Sequence, residues 1–161
     1  MTETHFHDGC CTCGALRYRF QGPPLFVHCC HCSWCRRETG SAFVINALVE
    51  TDRVSVVAGA PALAPVPSAS GAGQKIARCP ACHTAVWSHY AMPRIGDRVT
   101  FIRVGTLDDA ARVPPNVHIF TASKLPWVVL GDAVPVCPEY YDRKDLWPAD
   151  SLRRLDRLLA A

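Results

Sequence analysis

A mainly β chain stapled by metal is the fold class that three observations predict. Short apolar runs with two-residue alternation or β-branched character recur along the 161 residues, and the cysteines gather in close groups. Only the C-terminal stretch carries a helical stripe.

The elements follow in chain order. Ala15-Leu16-Arg17-Tyr18-Arg19-Phe20 alternates apolar and basic residues, which predicts a first strand over 15–20, stopped by Gly22-Pro23-Pro24. Residues 25–29 read as a short strand running into a cysteine cluster, 43–49 as a longer one, and 54–58 as a β-branched strand that pairs nearby. The Pro-, Gly-, Ala- and Ser-rich stretch 59–73 is either an extended edge or a mobile loop. Residues 74–78 and 85–90 flank Cys79-Pro80-Ala81-Cys82 as a knuckle hairpin. Strands are expected again at 99–104, turned by Gly105 and Asp108-Asp109, and at 117–120. Leu152, Leu155, Leu158 and Leu159 share one helical face with Asp150 or Ser151 available as N-cap, so a short helix over about 150–160 closes the chain. No repeat and no linker divides the sequence. A single domain over 1–161 is expected, with its core at about 9–130 and the helix in a C-terminal extension.

Composition narrows the function classes. With 49% hydrophobic and 19% charged residues the chain is globular in type, and no apolar run approaches the roughly 20 residues of a membrane helix. Residues 1–8 carry acids and histidines where a secretory leader would be basic and then apolar, so a cytoplasmic protein without a membrane partner is expected. The formal charge of +3 counts every thiol as neutral. Thiolates on two divalent ions bring it near zero, which argues against nucleic acid as the partner.

The cysteines carry the chemistry. Seven of the ten fall into C-x-C, C-x-C-x-x-C and C-x-x-C groups, spacings that suit metal chelation in a reducing compartment better than a disulfide framework. Cys11 and Cys13 with Cys79 and Cys82 supply the four sulfurs of a closed, structural zinc site. Such a site contributes on the order of 10 kcal/mol of apparent binding energy to folding. Cys30, Cys32 and Cys35 supply three, which leaves a fourth position for a ligand. His28, Cys29 and His31 are the candidates that would close it, or His28 would stand behind it as a supporting group. Alternation along a strand turns Cys29 and His31 away from Cys30 and Cys32, which favours the open site.

A zinc ion with three thiolates is a weak, soft Lewis acid that prefers another sulfur. A thiol, held as its nucleophilic thiolate, is thus a better substrate than water. A small aldehyde beside it would gain from proximity, with a neighbouring acid to protonate the alkoxide.

Cys11-Thr12-Cys13-Gly14-Ala15, Cys30-His31-Cys32-Ser33-Trp34-Cys35-Arg36-Arg37 with Gly40-Ser41-Ala42-Phe43, Cys79-Pro80-Ala81-Cys82, Gly105-Thr106-Leu107-Asp108 and Pro115-Asn116-Val117-His118-Ile119-Phe120 with Trp127 resemble, in order, the glutathione-dependent formaldehyde-activating (GFA) family, whose domain is shared with centromere protein V. The resemblance implies an Mss4-like (β-tent) fold of antiparallel sheets, a structural zinc on the outer cysteines and a second zinc on Cys30, Cys32 and Cys35. It also implies a carbon-sulfur lyase that joins glutathione and formaldehyde. His83 stands where the family usually has glycine, and Arg78 where an aromatic residue is common. The alternative reading is a non-catalytic zinc-stabilised module that binds a protein partner.

Other residues receive narrower expectations. Arg36 and Arg37 are candidates for glutathione's carboxylates, or a surface pair on a short helix. His118 and Glu38 are candidate proton donors, against a structural hydrogen bond as the plain reading of His118. Trp34 and Trp127 are expected to cover a zinc site or pack the core, and His5 and His7 to form a solvated tail. Cys10, Cys29 and Cys137 remain as small hydrophobes or reactive thiols, too few to argue for a third zinc.

Overall fold

The computed structural model describes residues 5–160. The leader expectation rests on residues 1–8, of which 1–4 lie outside the described residues, as does 161. Two sheets make up the body: one of three strands, ordered β1-β2-β5, and one of seven, ordered β10-β3-β4-β9-β8-β7-β6. The strands are β1 Phe6–Cys10, β2 Arg17–Gln21, β3 Phe26–Cys30, β4 Val44–Glu50, β5 Val54–Ala58, β6 Ala62–Val66, β7 Gln74–Arg78, β8 Ala85–Tyr90, β9 Val99–Arg103 and β10 Val117–Ile119. Helices α1 Ser33–Thr39, α2 Arg143–Leu146 and α3 Ala149–Ala160 complete it. The chain is mainly β with a short C-terminal helix, as expected. One pairing departs from an all-antiparallel plan, since β10 lies parallel to β3.

The large sheet is buried on both faces, and this is why β3 and β4 read as nearly unbroken apolar runs. Register places Val27, Ala47 and Ile102 side by side on one face and Phe26, Leu48 and Phe101 on the other. The first row joins Tyr18 and Phe20 of the small sheet in one core; the second joins Trp147 and Leu155 of the C-terminal segment in another. Among the described residues no helix is long and apolar enough to cross a membrane.

One sequence expectation is corrected and two are sharpened. Residues His5 and His7 are no free tail: Phe6–Cys10 pairs with β2, and the His7 ring stacks on Phe20 at 4.5 Å. The strand escapes the eye because its outward side is polar, where Asp8 takes two hydrogen bonds from Arg19 at 2.8 and 3.2 Å. The extended-edge reading of 59–73 holds in part, for Ala62–Val66 is the edge strand of the large sheet, a position where Pro65 is tolerated. Helix α3 begins at Ala149, one residue ahead of Asp150 and two ahead of Ser151, the expected caps, and the Leu152 N–H already donates to the Pro148 carbonyl at 3.1 Å.

Helix α3 is held by charge as well as by its leucines. Arg154 donates to both oxygens of Glu50 at 2.7 Å, and both side chains are largely buried. Burial, the largest single influence, pushes Glu50 up; the Arg154 hydrogen bonds, a backbone hydrogen bond and the charges of Arg154 and Arg53 together outweigh it and keep the carboxyl below its ordinary range. We expect Arg154→Leu to lower stability by about 2–3 kcal/mol, since hydrogen bonds to a buried charge are lost and Arg53 alone remains as its partner. Thermal unfolding of the zinc-loaded protein measures it.

The knuckle between β7 and β8 explains one departure from the family pattern. His83 sits at φ 61°, in the left-handed region where only glycine is free of strain. Its N–H donates to the Cys79 carbonyl at 2.9 Å, so the turn holds that conformation in place. His83→Gly is expected to stabilise the protein by about 0.5–1 kcal/mol in the same assay. An unchanged or lower midpoint would contradict the strain.

Candidate active site

The four outer cysteines come together. Cys11 follows β1 in a turn closed by Gly14 N–H on the Cys11 carbonyl, and Cys79 ends β7 in a knuckle closed by its own N–H on Thr84. The Thr12 and Thr84 hydroxyls, hydrogen-bonded at 2.9 Å, tie the two turns to each other. Cys11 and Cys13 Sγ lie 3.5 Å apart and Cys13 and Cys79 Sγ 3.8 Å, with all four within 4.8 Å. Tetrahedral zinc with Zn–S of about 2.3 Å separates its sulfurs by about 3.8 Å, so the donors fit the ion. Hydrogen bonds from the Thr84 hydroxyl and N–H hold Cys82 down, to about 5, in the thiolate form a metal requires.

The inner three cysteines converge at a change of secondary structure. Cys30 is the last residue of β3, Cys32 is the N-cap of α1, and Cys35 lies in its first turn. The Cys35 N–H donates to Cys32 Sγ at 3.3 Å, and Gly40, at φ 65°, ends the helix in the left-handed conformation. The three sulfurs lie within 4.8 Å of one another. Among the described residues no further Cys, His or carboxylate joins that group. Hydrogen bonds from Cys30 and Cys35, then backbone N–H groups, draw Cys32 strongly down, while its partner Cys30 is pushed up. Three soft donors around one point, one already poised as thiolate, fit zinc with an open position.

These sulfurs open on a cavity of about 560 Å³ whose walls include His28, Trp34, Gln74, Tyr90, Phe101 and Tyr141. Its lining supplies groups that sequence reasoning missed. The Trp147 indole N–H donates to Tyr141 Oη at 2.7 Å; Tyr141 therefore turns its own proton to His28 Nε2, also 2.7 Å away. Burial pushes His28 down to about 4, so it is neutral at pH 7. With Nε2 taken by Tyr141, His28 is a wall of the cavity and not a member of the cysteine group. Gln74 is buried in the same lining, and its Oε1 has no hydrogen-bond partner among the described residues.

Several expected site residues lie elsewhere. His118 pairs in register with Cys29, on the face opposite Cys30, and its Nδ1 is 3.0 Å from His31 Nε2. As alternation predicts, Cys29 and His31 turn away from the inner cysteines; unexpectedly, with His118 they form a third cluster whose donor atoms lie within 4.8 Å of one another. Hydrogen bonding accounts for this cluster without an ion. His31 Nδ1 is buried without a partner, and a bare lone pair is tolerated there more readily than an N–H. The proton then sits on Nε2, directed at His118 Nδ1 and, at 3.6 Å, at Cys29 Sγ. The plain structural reading of His118 thus fits its surroundings, and the proton-donor expectation does not.

Glu38 is likewise committed, clamped between Arg78 and Arg103 along a different cavity. That clamp also gives Arg78 a role, tying the zinc knuckle to α1. Arg36 and Arg37 are absent from the lining of the cysteine cavity; the arginine found there is Arg143, from α2. Trp34 stands at the wall as expected, whereas Trp127 is 69% exposed and packs in no core.

The family model described as glutathione-dependent formaldehyde-activating enzyme matches residues 6–123. A Halomonas elongata protein, named as a candidate glutathione-dependent formaldehyde-activating enzyme, is 31% identical over 127 residues, covering 75% of this chain and 78% of its own. A Rhodobacter sphaeroides protein of known crystal structure aligns with a TM-score of 0.47 at 22% identity, over 80% of this chain and 98% of that one. On the extent of the family match and the identity to the Halomonas protein, the chain belongs to the glutathione-dependent formaldehyde-activating enzyme family.

Proposed function

We propose that the protein is a zinc-dependent carbon-sulfur lyase that adds a glutathione-like thiol to a small aldehyde, or releases it, at Cys30, Cys32 and Cys35. The observation that carries this reading is a convergent three-sulfur group, with no fourth described donor, at the wall of a substrate-sized cavity. Zinc held by these cysteines supplies a place where an incoming thiol loses its proton and stays nucleophilic. Cys11, Cys13, Cys79 and Cys82 hold the second, purely structural zinc.

The chain's own residues do the rest. The cavity walls hold the aldehyde beside the sulfur, where proximity replaces a chance encounter. The carbon–sulfur bond forms as the carbonyl π pair moves to oxygen, and the oxygen takes a proton. Tyr141 fits this task better than His118 or Glu38: it lines the cavity, and the present acceptor of its hydroxyl, His28, is neutral. The thiol's proton leaves to solvent, which later restores Tyr141. Reversal releases thiol and aldehyde. The non-catalytic module finds some support in the exposed side chains of Trp127 and Val129, and it requires no thiol to reach Cys32.

Two measurements decide between them. Mild chelation should strip one zinc and leave one, and glutathione should shift the ligand-field bands of cobalt at the labile site. In Cys32→Ser that shift should vanish while circular dichroism stays native, whereas Cys79→Ser should lose its fold. Two zincs retained equally, or bands indifferent to glutathione, would sink the open site. Tyr141→Phe should lower kcat by about 100-fold with zinc content and KM little changed. A full-rate variant would remove Tyr141 from the proton step.

A further inference from the structure

The roof of the cysteine cavity is built by chain that lies beyond the family match, which ends at residue 123. Past that point the backbone returns along the outer edge of β10. Val136 bridges His118, the Cys137 N–H donates to the His118 carbonyl at 2.8 Å, and the Thr121 N–H donates to the Cys137 carbonyl at 3.2 Å. This strap sets Tyr140, Tyr141 and Arg143 on the cavity wall.

The roof is aromatic and fixed. The rings of Tyr140 and Tyr141 stack at 5.1 Å with 15° between their planes, and Tyr140 meets the edge of His28 at 5.8 Å. Tyr141 is pinned in turn by Trp147 and His28. Trp34, Tyr90, Phe101 and Phe120 continue the apolar lining, and about 560 Å³ is a volume typical of pockets that enclose drug-sized ligands. Formaldehyde, with two heavy atoms, leaves the aromatic part of these walls without contacts, and glutathione brings no ring to meet them. Apolar walls around a filled volume gain from burying a ring, and stacked tyrosines favour an aromatic one. Arg143 has no ion-pair partner among the described residues, so the same wall offers a cation to a carboxylate.

We propose that the carbon partner joined to sulfur in this cavity bears an aromatic ring, so that the aldehyde is an aryl or arylalkyl aldehyde, seated under Tyr140 and Tyr141. This rests on the thiol-addition reading of the inner cysteines. It makes residues 135–143 a specificity element of this chain, where the cysteines and their knuckles are the shared chemistry.

The test is calorimetric titration of the zinc-loaded protein with phenylacetaldehyde and with acetaldehyde, which differ in the ring, and with glutathione in parallel. The ring should tighten binding at least tenfold, about 1.4 kcal/mol. In Tyr140→Ala, a change at a side chain that is 50% exposed and so mild for the fold, that preference should collapse toward unity. In Tyr140→Phe it should persist, because the ring and not the hydroxyl makes the contact. Equal affinities for the two aldehydes in the native protein would overturn the proposal, and glutathione binding in that case would leave the thiol-addition reading standing. Discrimination between the two aldehydes without glutathione binding would do the reverse, keeping the aromatic roof and removing glutathione as the thiol. A preference that survives Tyr140→Ala would also overturn it.

Discussion

Period-two alternation along β3 governs everything around it. In a strand with both faces buried, each successive side chain belongs to a different compartment, so His28 and Cys30 enter the cavity while Cys29 enters the opposite core. The strand has to stop at Cys30, because another extended residue would carry the next cysteine past the metal position. His31 supplies the break: buried, hydrogen-bonded to His118 on β10, it pins the chain at the point where strand gives way to helix. Cys32 then caps α1, and the helical turn brings Cys35 back over it. A one-residue slip of β3 against β4 would exchange Cys29 for Cys30 and dismantle the site.

The two cysteine groups differ in what the backbone does for them. At the outer site, two tight turns, each closed by its own backbone hydrogen bond, present two sulfurs apiece and are laced together by Thr12 and Thr84. That arrangement is suited to enclosing a metal and joins segments distant in sequence, which is a scaffold's task. His83 tolerates a left-handed backbone to complete it. At the inner site a single strand-helix junction supplies all three sulfurs, and the space above them belongs to the cavity walls.

Much of this was legible in the residues. Cysteine spacing exposes its purpose because a metal imposes short, fixed ligand separations, and β-branched alternation marks the strands because burial imposes a period. What escaped depends on contacts made at long range. Strand β1 is polar on its outward side and is stabilised by Arg19 and Phe20 from the next strand, which no local pattern of its own announces. Glu38 and His118 carry the right chemistry for proton transfer but face partners brought from β7, β9 and β3. The Arg36-Arg37 pair directly follows the cysteines in sequence, yet Arg143 is the one that reaches their cavity. Sequence proximity was a poor guide there, because a helix turns its successive residues about 100° apart. The one readable trace of the roof was Tyr140-Tyr141 ahead of a leucine-striped helix, and aromatic residues in a terminal extension carry no address by themselves.

That extension is coupled to the chemistry through a chain of specific contacts. Arg154 on α3 is anchored to Glu50 at the end of β4, and the leucine face of α3 packs on the core that contains Cys30 and Cys35. Trp147, at the junction of α2 and α3, reaches Tyr141, and Tyr141 reaches His28 on β3. Each link is a directional hydrogen bond in a low-dielectric setting, where leaving a donor unpaired costs more than the bond itself contributes. The roof therefore cannot drift independently of the sheet that carries the cysteines. A flexible tail would bring the same tyrosines to the cavity for only part of the time and would lose rotamer freedom on every binding event. Tying them to β3 and β4 keeps their spacing to the sulfurs constant, so a ligand's shape can be read against a fixed wall.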